Sequence, residues 1–307
     1  MKELVNFYNL TRDEWKQMYE DGVPPLTQAE LDQITSFNDS ISLQDVQEIY
    51  VPLTHLIRIY LKYQENLTLG KGVFLRKLLR TPPFIIGISG SVAVGKSTIA
   101  RVLQILLSRT FKHMDVELIT TDGFLYPTEY LVEHKILDKK GFPESYDMKR
   151  LIQFLSEVKS GKETISSPIY SHEIYNIVPD EEQILTRPDI LIVEGINVLQ
   201  LPQNEQIYVS DFFDFSIYVD AEEENIKKWY LDRFEKLLDS AFQDPDNFYY
   251  KYAQMPRRDA LARGLSVWNA VNKPNLEQYI QPTKSRADVI LHKGDTHNID
   301  NIYLRKY

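Results

Sequence analysis

The feature that most constrains the fold of this chain is the segment from Gly90 to Ser97, GSVAVGKS, which matches the pattern G-x-x-x-x-G-K-S in full. Residues 84–89 before it form a short, nearly continuous apolar run, which is typical of a buried parallel strand. The residues after it have the apolar spacing of a helix. Because this pattern binds phosphate between a strand and a helix, we interpret it as a phosphate-binding loop rather than a chance glycine-rich turn.

The loop predicts ATP with Mg²⁺ as its ligand. Gly90 and Gly95 allow backbone conformations that turn successive amides toward phosphate oxygens, and the following helix adds the positive end of its dipole. We expect Lys96 to reach the β- and γ-phosphates and the Ser97 hydroxyl to bind Mg²⁺. The predicted nucleotide contacts are Gly90, Ser91, Val92, Ala93, Val94, Gly95, Lys96, Ser97 and Thr98. The reaction stays open, since kinases, ATPases and GTPase switches share such a loop.

Similar apolar runs recur along the chain, separated by stretches with helical spacing. The runs are Val116 to Thr121, Asp189 to Glu194, Phe212 to Val219 and Ala287 to Leu291, and two of the helical stretches are Thr98 to Ser108 and Met148 to Lys159. Strands that alternate with helices predict an α/β fold, with a mostly parallel central sheet and helices on both faces. Ligands of such sheets bind beyond the carboxyl ends of the strands, so each candidate site should directly follow a strand.

The first eighty residues are interpreted as a helical extension packed on this core. The segments Thr11 to Glu14 and Thr27 to Glu30 each have the form of a capping box, which starts a helix. Apolar residues from Leu43 to Tyr63 follow helical spacing, and we expect Pro52 to open a second helix or to kink the first, so that a break is predicted there. We therefore expect an extension over residues 1–80 and a core with a lid over residues 81–307, joined in a single structural domain.

Composition excludes several functional classes. The formal net charge of −9 argues against extended nucleic-acid binding, which needs a basic surface. The chain has no cysteine, so disulfides, thiolate metal sites and a cysteine nucleophile are excluded. The amino-terminal residues lack the apolar core of a signal peptide, and no run approaches the ~20 apolar residues of a membrane span. A cytoplasmic location without membrane contact is the expectation.

Two carboxylates directly follow predicted strands. Asp122 comes after one strand and before Gly123, where it could act as a general base that orients and deprotonates an acceptor hydroxyl. An aspartate that only caps a turn is an equal alternative. Glu194 closes another apolar run, and we interpret it as a ligand of Mg²⁺ or of its bound water rather than as a strand-end cap.

Two further segments could complete an acceptor site. Tyr170, His172 and Tyr175 lie close together after a strand-like run and could bind a small polar molecule, although a hairpin with surface aromatic residues explains them equally well. The segment from Glu222 to Phe242 predicts a helix whose Arg233 could close on the triphosphate as part of a lid, with a solvated helix face as the alternative. The aromatic-rich stretch that follows is interpreted as core rather than as a cover for a ligand.

Several motifs together resemble the type I pantothenate kinase family. They are Gly90 to Thr98, Thr120 to Phe124, Lys140 to Asp147, Tyr170 to His172 and Val193 to Leu199. The resemblance extends from about Ser42 to Leu291 with similar spacing, and the segment KGFPESYD at Lys140 is much more specific than a phosphate loop. It disfavours a uridine- or phosphoribulose-type kinase, which is the nearest alternative. A nucleotide-controlled switch without an acceptor is the alternative from another class.

This resemblance implies a P-loop kinase fold in a cytoplasmic homodimer that phosphorylates the terminal hydroxyl of pantothenate to give 4'-phosphopantothenate, the first step toward coenzyme A. It implies that Asp122 is the base, that Lys96 and Arg233 stabilise the transferred phosphoryl group, and that Ser97 helps to hold Mg²⁺. The positions that match the pantothenate site of the family are Tyr170, His172, Tyr175, Tyr230 and Asn272. Those that match residues flanking adenine are Asn38 and His297.

The family resemblance also implies feedback inhibition by coenzyme A in competition with ATP. The matching positions are Lys96, Arg101, His172, Phe242 and Tyr252. Leu237 departs from the family pattern, because feedback-sensitive members have phenylalanine there. The strength of inhibition therefore does not follow from the resemblance.

Overall fold

The computed structural model describes residues 4–19, 26–36, 39–200 and 207–307. Within these ranges the strands β1 to β9 are, in chain order, Phe7–Thr11, Phe84–Gly90, Val116–Thr120, Thr164–Ser171, Asn176–Thr186, Ile190–Glu194, Phe215–Ala221, Val289–Lys293 and Ile299–Arg305. The α-helices α1 to α11 are Arg12–Lys16, Gln28–Ile34, Leu43–Asp45, Val51–Leu75, Lys96–Thr110, Thr128–Glu133, Met148–Lys159, Glu223–Leu238, Tyr250–Ala253, Arg257–Val267 and Lys273–Asn275. None of these described helices is both long and apolar enough to cross a membrane.

The central sheet has the strand order β1-β9-β8-β7-β2-β6-β3. β2 lies between β6 and β7 and pairs with both in parallel, and β3 and β8 extend the parallel pairing on either side. β9 and β1 add an antiparallel edge, while β4 and β5 form a separate antiparallel hairpin. The strands expected from the apolar runs are confirmed as β2, β3, β6, β7 and β8.

Helices cover both faces of the sheet, as the alternating pattern predicts. Successive side chains of β2 point to opposite faces. Ile86 therefore packs with Leu103 of α5 in one apolar cluster, and Ile85 packs with Leu155 of α7 in a second cluster on the other face. A sheet buried on both sides explains why β2 is buried at every residue and contains no charged side chain. The α/β prediction is thus confirmed.

The amino-terminal region differs in part from the expected helical extension. Both predicted capping boxes are present, at Thr11 and Thr27. The interpretation of the first eighty residues as helical is nevertheless wrong for Phe7–Thr11, because this segment is β1 and covers the outer edge of β9. Trp15 of α1 is buried and its indole N–H donates to the carbonyl of Ile49 at 3.1 Å. The extension therefore shares the core of the sheet, and the boundary at residue 80 stays a prediction.

Pro52 does not break the helix in which it lies. The backbone stays helical from α3 to α4, with a π-helical turn at Val46–Tyr50 immediately before. Pro52 lies in the first turn of α4, directly after the wider π-helical turn. Proline has no backbone N–H, and at this position no i−4 hydrogen bond is lost because of it. α4 thus begins beside Pro52, as one of the two expectations has it, and the predicted break takes the form of a change of helical pitch rather than an interruption.

Candidate active site

The phosphate-binding loop lies where β2 ends and α5 begins, as predicted. Gly95 adopts φ of 96° at the N-cap of α5, a left-handed conformation that favours glycine. Gly90 passes so close to β7 that a Cβ atom there would lie 2.6 Å from the carbonyl oxygen of Val219. The loop backbone is thus held against the sheet, and the amide groups at the start of α5 form a site for anions.

Lys96 is buried at the start of α5, and its ammonium group donates to the carbonyl of Ser91 at 2.8 Å. Burial lowers the pKa of Lys96, while the nearby carboxylates of Glu194 and Asp122 act in the opposite direction. The ammonium therefore lies within the electrostatic reach of both carboxylates predicted for the site. The next residue but one, Thr98, faces the amino-terminal extension instead, because its hydroxyl accepts a hydrogen bond from the amide of Ser36 at 3.1 Å.

Ser97 and Glu194 meet at the end of β6. The Ser97 hydroxyl donates to Oε1 of Glu194 at 2.9 Å. Burial raises the pKa of Glu194, against the opposing effect of the Lys96 ammonium. A hydroxyl and a carboxylate are oxygen donors that suit Mg²⁺, which commonly takes one or two protein ligands and completes its shell with phosphates and water. No group of three or more potential metal ligands of the types His, Cys, Asp and Glu occurs in the part of the chain that the structure describes.

Asp122 lies on a short 3₁₀ turn directly after β3 and lines the same cavity as Lys96. The hydroxyl of Tyr146 donates to Oδ1 of Asp122 at 3.3 Å. Tyr146 is buried, which raises its pKa well above the usual range and keeps the phenol protonated. The family-specific segment that contains Tyr146 thus contacts the proposed base directly, a contact that the sequence alone did not predict.

The β4–β5 hairpin brings its aromatic residues into the cavity. Tyr170, His172 and Tyr175 line it together, with the Tyr170 and His172 ring centroids 5.2 Å apart. Burial lowers the pKa of His172, although Asp122 opposes the shift. The imidazole is therefore neutral near pH 7, with one N–H donor and one acceptor nitrogen. The sequence posed a hairpin and a binding site as alternatives; the hairpin is present, its aromatic residues line the cavity, and their binding role stays a prediction.

Lys140 is a site residue that the sequence analysis did not single out. Its ammonium lies 3.7 Å from the centroid of the Tyr175 ring and donates to the Tyr175 carbonyl and to the hydroxyl of Thr128. Burial lowers the pKa of Lys140 to about 8, with Asp122 opposing the shift. The one sequence signal for Lys140 is its position at the start of the family-specific segment. A lysine is ordinarily exposed, and the burial of Lys140 depends on the hairpin.

The α8 helix contributes Arg233 to the cavity, and the turn before α11 contributes Asn272. Burial lowers the pKa of Arg233. Tyr230, one turn earlier on α8, packs on Trp268 with ring centroids 5.6 Å apart and hydrogen-bonds to Asn272. Burial raises the pKa of Tyr230 to about 12. Arg233 therefore lies inside the site rather than on a solvated face, and Tyr230 lies one layer behind it.

One cavity of about 450 Å³ collects most of the predicted site residues. Those that line it are Val92, Ala93, Gly95, Lys96, Ser97, Arg101, Asp122, Tyr170, His172, Tyr175, Glu194, Arg233 and Asn272. Residues that line it without having been predicted include Ser36, Asp39, Lys140, Tyr146 and Asn275. Phosphate loop, carboxylates and hairpin thus share one cavity, which four cationic side chains also line, Lys96, Arg101, Lys140 and Arg233.

Among the other described predicted residues, three lie apart from the cavity, and five belong to the loop, α5 or α8 without lining it: Gly90, Ser91, Val94, Thr98 and Tyr230. Phe242 and Tyr252 belong to a separate apolar cluster around Phe234, as their interpretation as core requires. His297 stacks on Trp229 with ring centroids 4.1 Å apart. Asn38 lies outside the described residues.

Comparison with known proteins agrees with this site. Residues 85–236 match the family described as Phosphoribulokinase / Uridine kinase family. The solved structure of D-glycerate 3-kinase from Cryptococcus neoformans has a TM-score of 0.57 to this chain over 80% of this chain and 97% of that chain, at 13% identity, which supports the fold alone. Fold and site together define a P-loop kinase, an ATP-dependent phosphotransferase.

Full-length relatives narrow the class. A protein from Enterococcus faecalis named "Pantothenate kinase" is 63% identical over 307 residues, which is 100% of both chains. A protein of the same name from Streptococcus gordonii is 56% identical over 304 residues, 99% of each chain. The chain belongs to the pantothenate kinase family.

Proposed function

We propose that this chain transfers the γ-phosphoryl group of ATP to the terminal hydroxyl of pantothenate and so forms 4'-phosphopantothenate, the first step of coenzyme A synthesis. The single observation that carries the reaction type is that one cavity joins the phosphate-binding loop, Asp122 and the β4–β5 hairpin. The choice of pantothenate rests on the names of the full-length relatives.

In the proposed reaction the acceptor oxygen attacks the γ-phosphorus, the bond to the β–γ bridging oxygen breaks, and ADP leaves. Asp122 accepts the proton of the attacking hydroxyl. Lys96 and Arg233 stabilise the negative charge on the oxygens of the transferred phosphoryl group. This electrostatic stabilisation is stronger in a buried site than in water. Ser97 and Glu194 would hold Mg²⁺, which neutralises phosphate charge. The placement of these residues around one cavity supports their proposed roles.

The acceptor is proposed to bind between the hairpin and Asn272. Neutral His172 and the phenols of Tyr170 and Tyr175 can donate to its carboxylate and amide oxygens, while their rings cover its aliphatic part. Tyr230 supports this site through its hydrogen bond to Asn272. The cationic side chains in the cavity suit a polar, anionic acceptor such as pantothenate.

The proposal is tested by measuring ADP release with pantothenate, uridine and ribulose 5-phosphate as acceptors. We expect pantothenate alone to stimulate release, by about 10² or more, because water is a poorly positioned acceptor. Stimulation by uridine or ribulose 5-phosphate instead would favour a sugar kinase. ADP release that ignores all three acceptors would favour a nucleotide-controlled switch and would overturn the proposal.

We also propose that coenzyme A inhibits the protein in competition with ATP. Lys96, Arg101 and His172 line the cavity and can meet its phosphates, which supports this idea. Phe242 stacks on Tyr249 at 4.8 Å between ring centroids, in the cluster behind the site, so contact with the thiol arm requires that this cluster open. The adenine contacts of Asn38 and His297 and the cytoplasmic location are retained as proposals from the family resemblance.

A homodimer is the proposed assembly, and the outer half of α4 is the surface that supports it. Tyr63, Leu67 and Phe74 are 68%, 44% and 86% exposed, and they recur along one side of the helix. Gly70 lies on the same side, and a Cβ there would meet nothing within 4 Å. A glycine weakens a helix interior, and one without a contact in its own chain suits close approach of a second helix. An exposed apolar surface of this kind favours a protein partner.

Phe74→Glu is expected to convert the proposed dimer into a monomer, because a charge would be buried between the two helices. Sedimentation velocity at several protein concentrations measures the change. Val132→Glu, at an exposed apolar residue of α6, is the matched control and should leave the dimer intact. A Phe74→Glu protein that stays dimeric would exclude this surface, and a monomeric wild-type protein would exclude the dimer.

A further inference from the structure

A buried ion pair lies against the phosphate-binding loop. Lys293, the last residue of β8, is 3% exposed and its ammonium donates to Oδ1 of Asp39 at 2.8 Å. The same ammonium donates to the carbonyl of Val94, within the loop, at 3.1 Å. One cation thus joins the amino-terminal extension, the loop and the carboxyl-terminal part of the sheet.

The contact with Val94 determines how the next amide points. A peptide group is planar and trans, so the carbonyl of Val94 and the N–H of Gly95 point in opposite directions. The Lys293 ammonium, paired with Asp39, holds the Val94 carbonyl, while Gly95 lines the cavity. The Gly95 amide therefore points away from the Lys293 ammonium.

Gly95 is in close contact with the pair. A Cβ atom on Gly95 would lie 2.3 Å from Oδ2 of Asp39 and 2.6 Å from Nζ of Lys293. Glycine is therefore required at position 95 for two reasons. One is its left-handed φ, and the other is that any side chain would displace the two charged groups. The loop and the ion pair are packed as one unit.

The Asp39 carboxylate stays ionised near pH 7. Burial alone would raise the pKa of Asp39, yet the nearby His297 side chain and the charge of Lys293 hold it at about 2. His297 Nδ1 lies 3.5 Å from Oδ1 of the same carboxylate. Removal of either partner alone would leave a buried charge without its counter-ion, which is strongly destabilising.

We propose that Lys293 is a positioning residue for nucleotide binding, which holds the Val94 carbonyl and so directs the Gly95 amide at the phosphates of ATP, with Asp39 as its counter-ion. The inference rests on the proposed use of ATP at this loop and not on the identity of the acceptor. It predicts that nucleotide affinity and stability can be separated. Replacing both Asp39 and Lys293 by neutral residues should restore stability, whereas nucleotide affinity should require the lysine itself.

The test compares Lys293→Met with the double variant Asp39→Asn/Lys293→Met. Lys293→Met should lower both the thermal midpoint and the affinity for ADP. The double variant should recover much of the thermal midpoint, because no unpaired charge remains, but its ADP dissociation constant and ATP KM should stay raised by about tenfold to a hundredfold. Its pantothenate KM should change by no more than about twofold, since the hairpin is untouched.

A second ion pair provides the matched control. Lys284 donates to Asp220 at 2.9 Å, in a pair at the end of β7 that is also largely buried and makes no contact with the loop among its described contacts. Asp220→Asn/Lys284→Met should leave ADP affinity unchanged. Wild-type ADP affinity in the Asp39→Asn/Lys293→Met protein, or an equal loss of pantothenate affinity, would overturn the proposal. ADP binding needs no acceptor, so failure of pantothenate as substrate would not affect this result.

Discussion

Asp122→Asn is expected to lower kcat by about 10² to 10⁴, the usual contribution of a general base. The substituted amide has nearly the same shape but cannot accept the proton of the acceptor hydroxyl. The Tyr146 hydroxyl can still donate to the amide oxygen, so the turn after β3 should keep its structure. ADP affinity, measured by calorimetry, should stay within about threefold of wild type, because Asp122 is not a loop residue. Steady-state ADP release with pantothenate measures kcat.

Asp138→Asn is the matched control for this substitution. Asp138 is exposed on a short 3₁₀ turn outside the cavity and should be replaceable without effect on turnover. Near-normal turnover in Asp122→Asn would remove Asp122 from the role of base. Loss of ADP binding together with a large drop in thermal midpoint would instead make it a structural residue, which is the turn-capping alternative.

Arg233→Met is expected to lower kcat by about 10² to 10³, the usual cost of removing one donor to transition-state charge in a buried site. The side chain is replaced by one of similar length without the guanidinium, so that packing along α8 is largely kept. The KM for pantothenate should change much less than kcat, because the charge that Arg233 stabilises increases as the phosphoryl group is transferred. Steady-state kinetics with varied ATP and pantothenate separate the two parameters.

Lys236→Met tests whether any basic residue of α8 has the same effect. Lys236 lies one turn further along the helix and is exposed, so its loss should leave kcat unchanged. A raised pantothenate KM with normal kcat in Arg233→Met would indicate that Arg233 binds the acceptor. Unchanged values of both parameters would exclude a role for Arg233 in phosphoryl transfer.

Local sequence predicted the elements that carry the phosphate-binding loop and the carboxylates of the cavity. The apolar runs that became β2, β3 and β6 each end in a residue or loop that lines the cavity, Asp122, Glu194 and the phosphate-binding loop among them. These predictions succeeded because the carboxyl ends of parallel strands meet at one edge, so that position along a strand is enough to bring distant residues together. The fold class follows from the same alternation of strands and helices.

Position along a strand could not predict that residues 7–11 form β1 or that Lys140 is buried in the cavity. Phe7 pairs with Arg305 at the other end of the chain, so the segment that contains it becomes a strand only when β9 is already in place. The alternatives for the β4–β5 hairpin could not be separated either, since aromatic residues on a hairpin and in a binding site have the same pattern.

The phosphate-binding loop, the parallel sheet and the strand-end carboxylates were determined by the sequence itself, because each depends on residues adjacent in the chain. The environment of those groups was decided only by tertiary structure. Lys140 is buried under the hairpin, and Lys293 reaches the loop from a strand almost two hundred positions away in sequence. The burial of a side chain and the counter-ions around it depend on which distant segments pack together. Whether a side chain in a buried site is ionised depends on its burial and on its counter-ions.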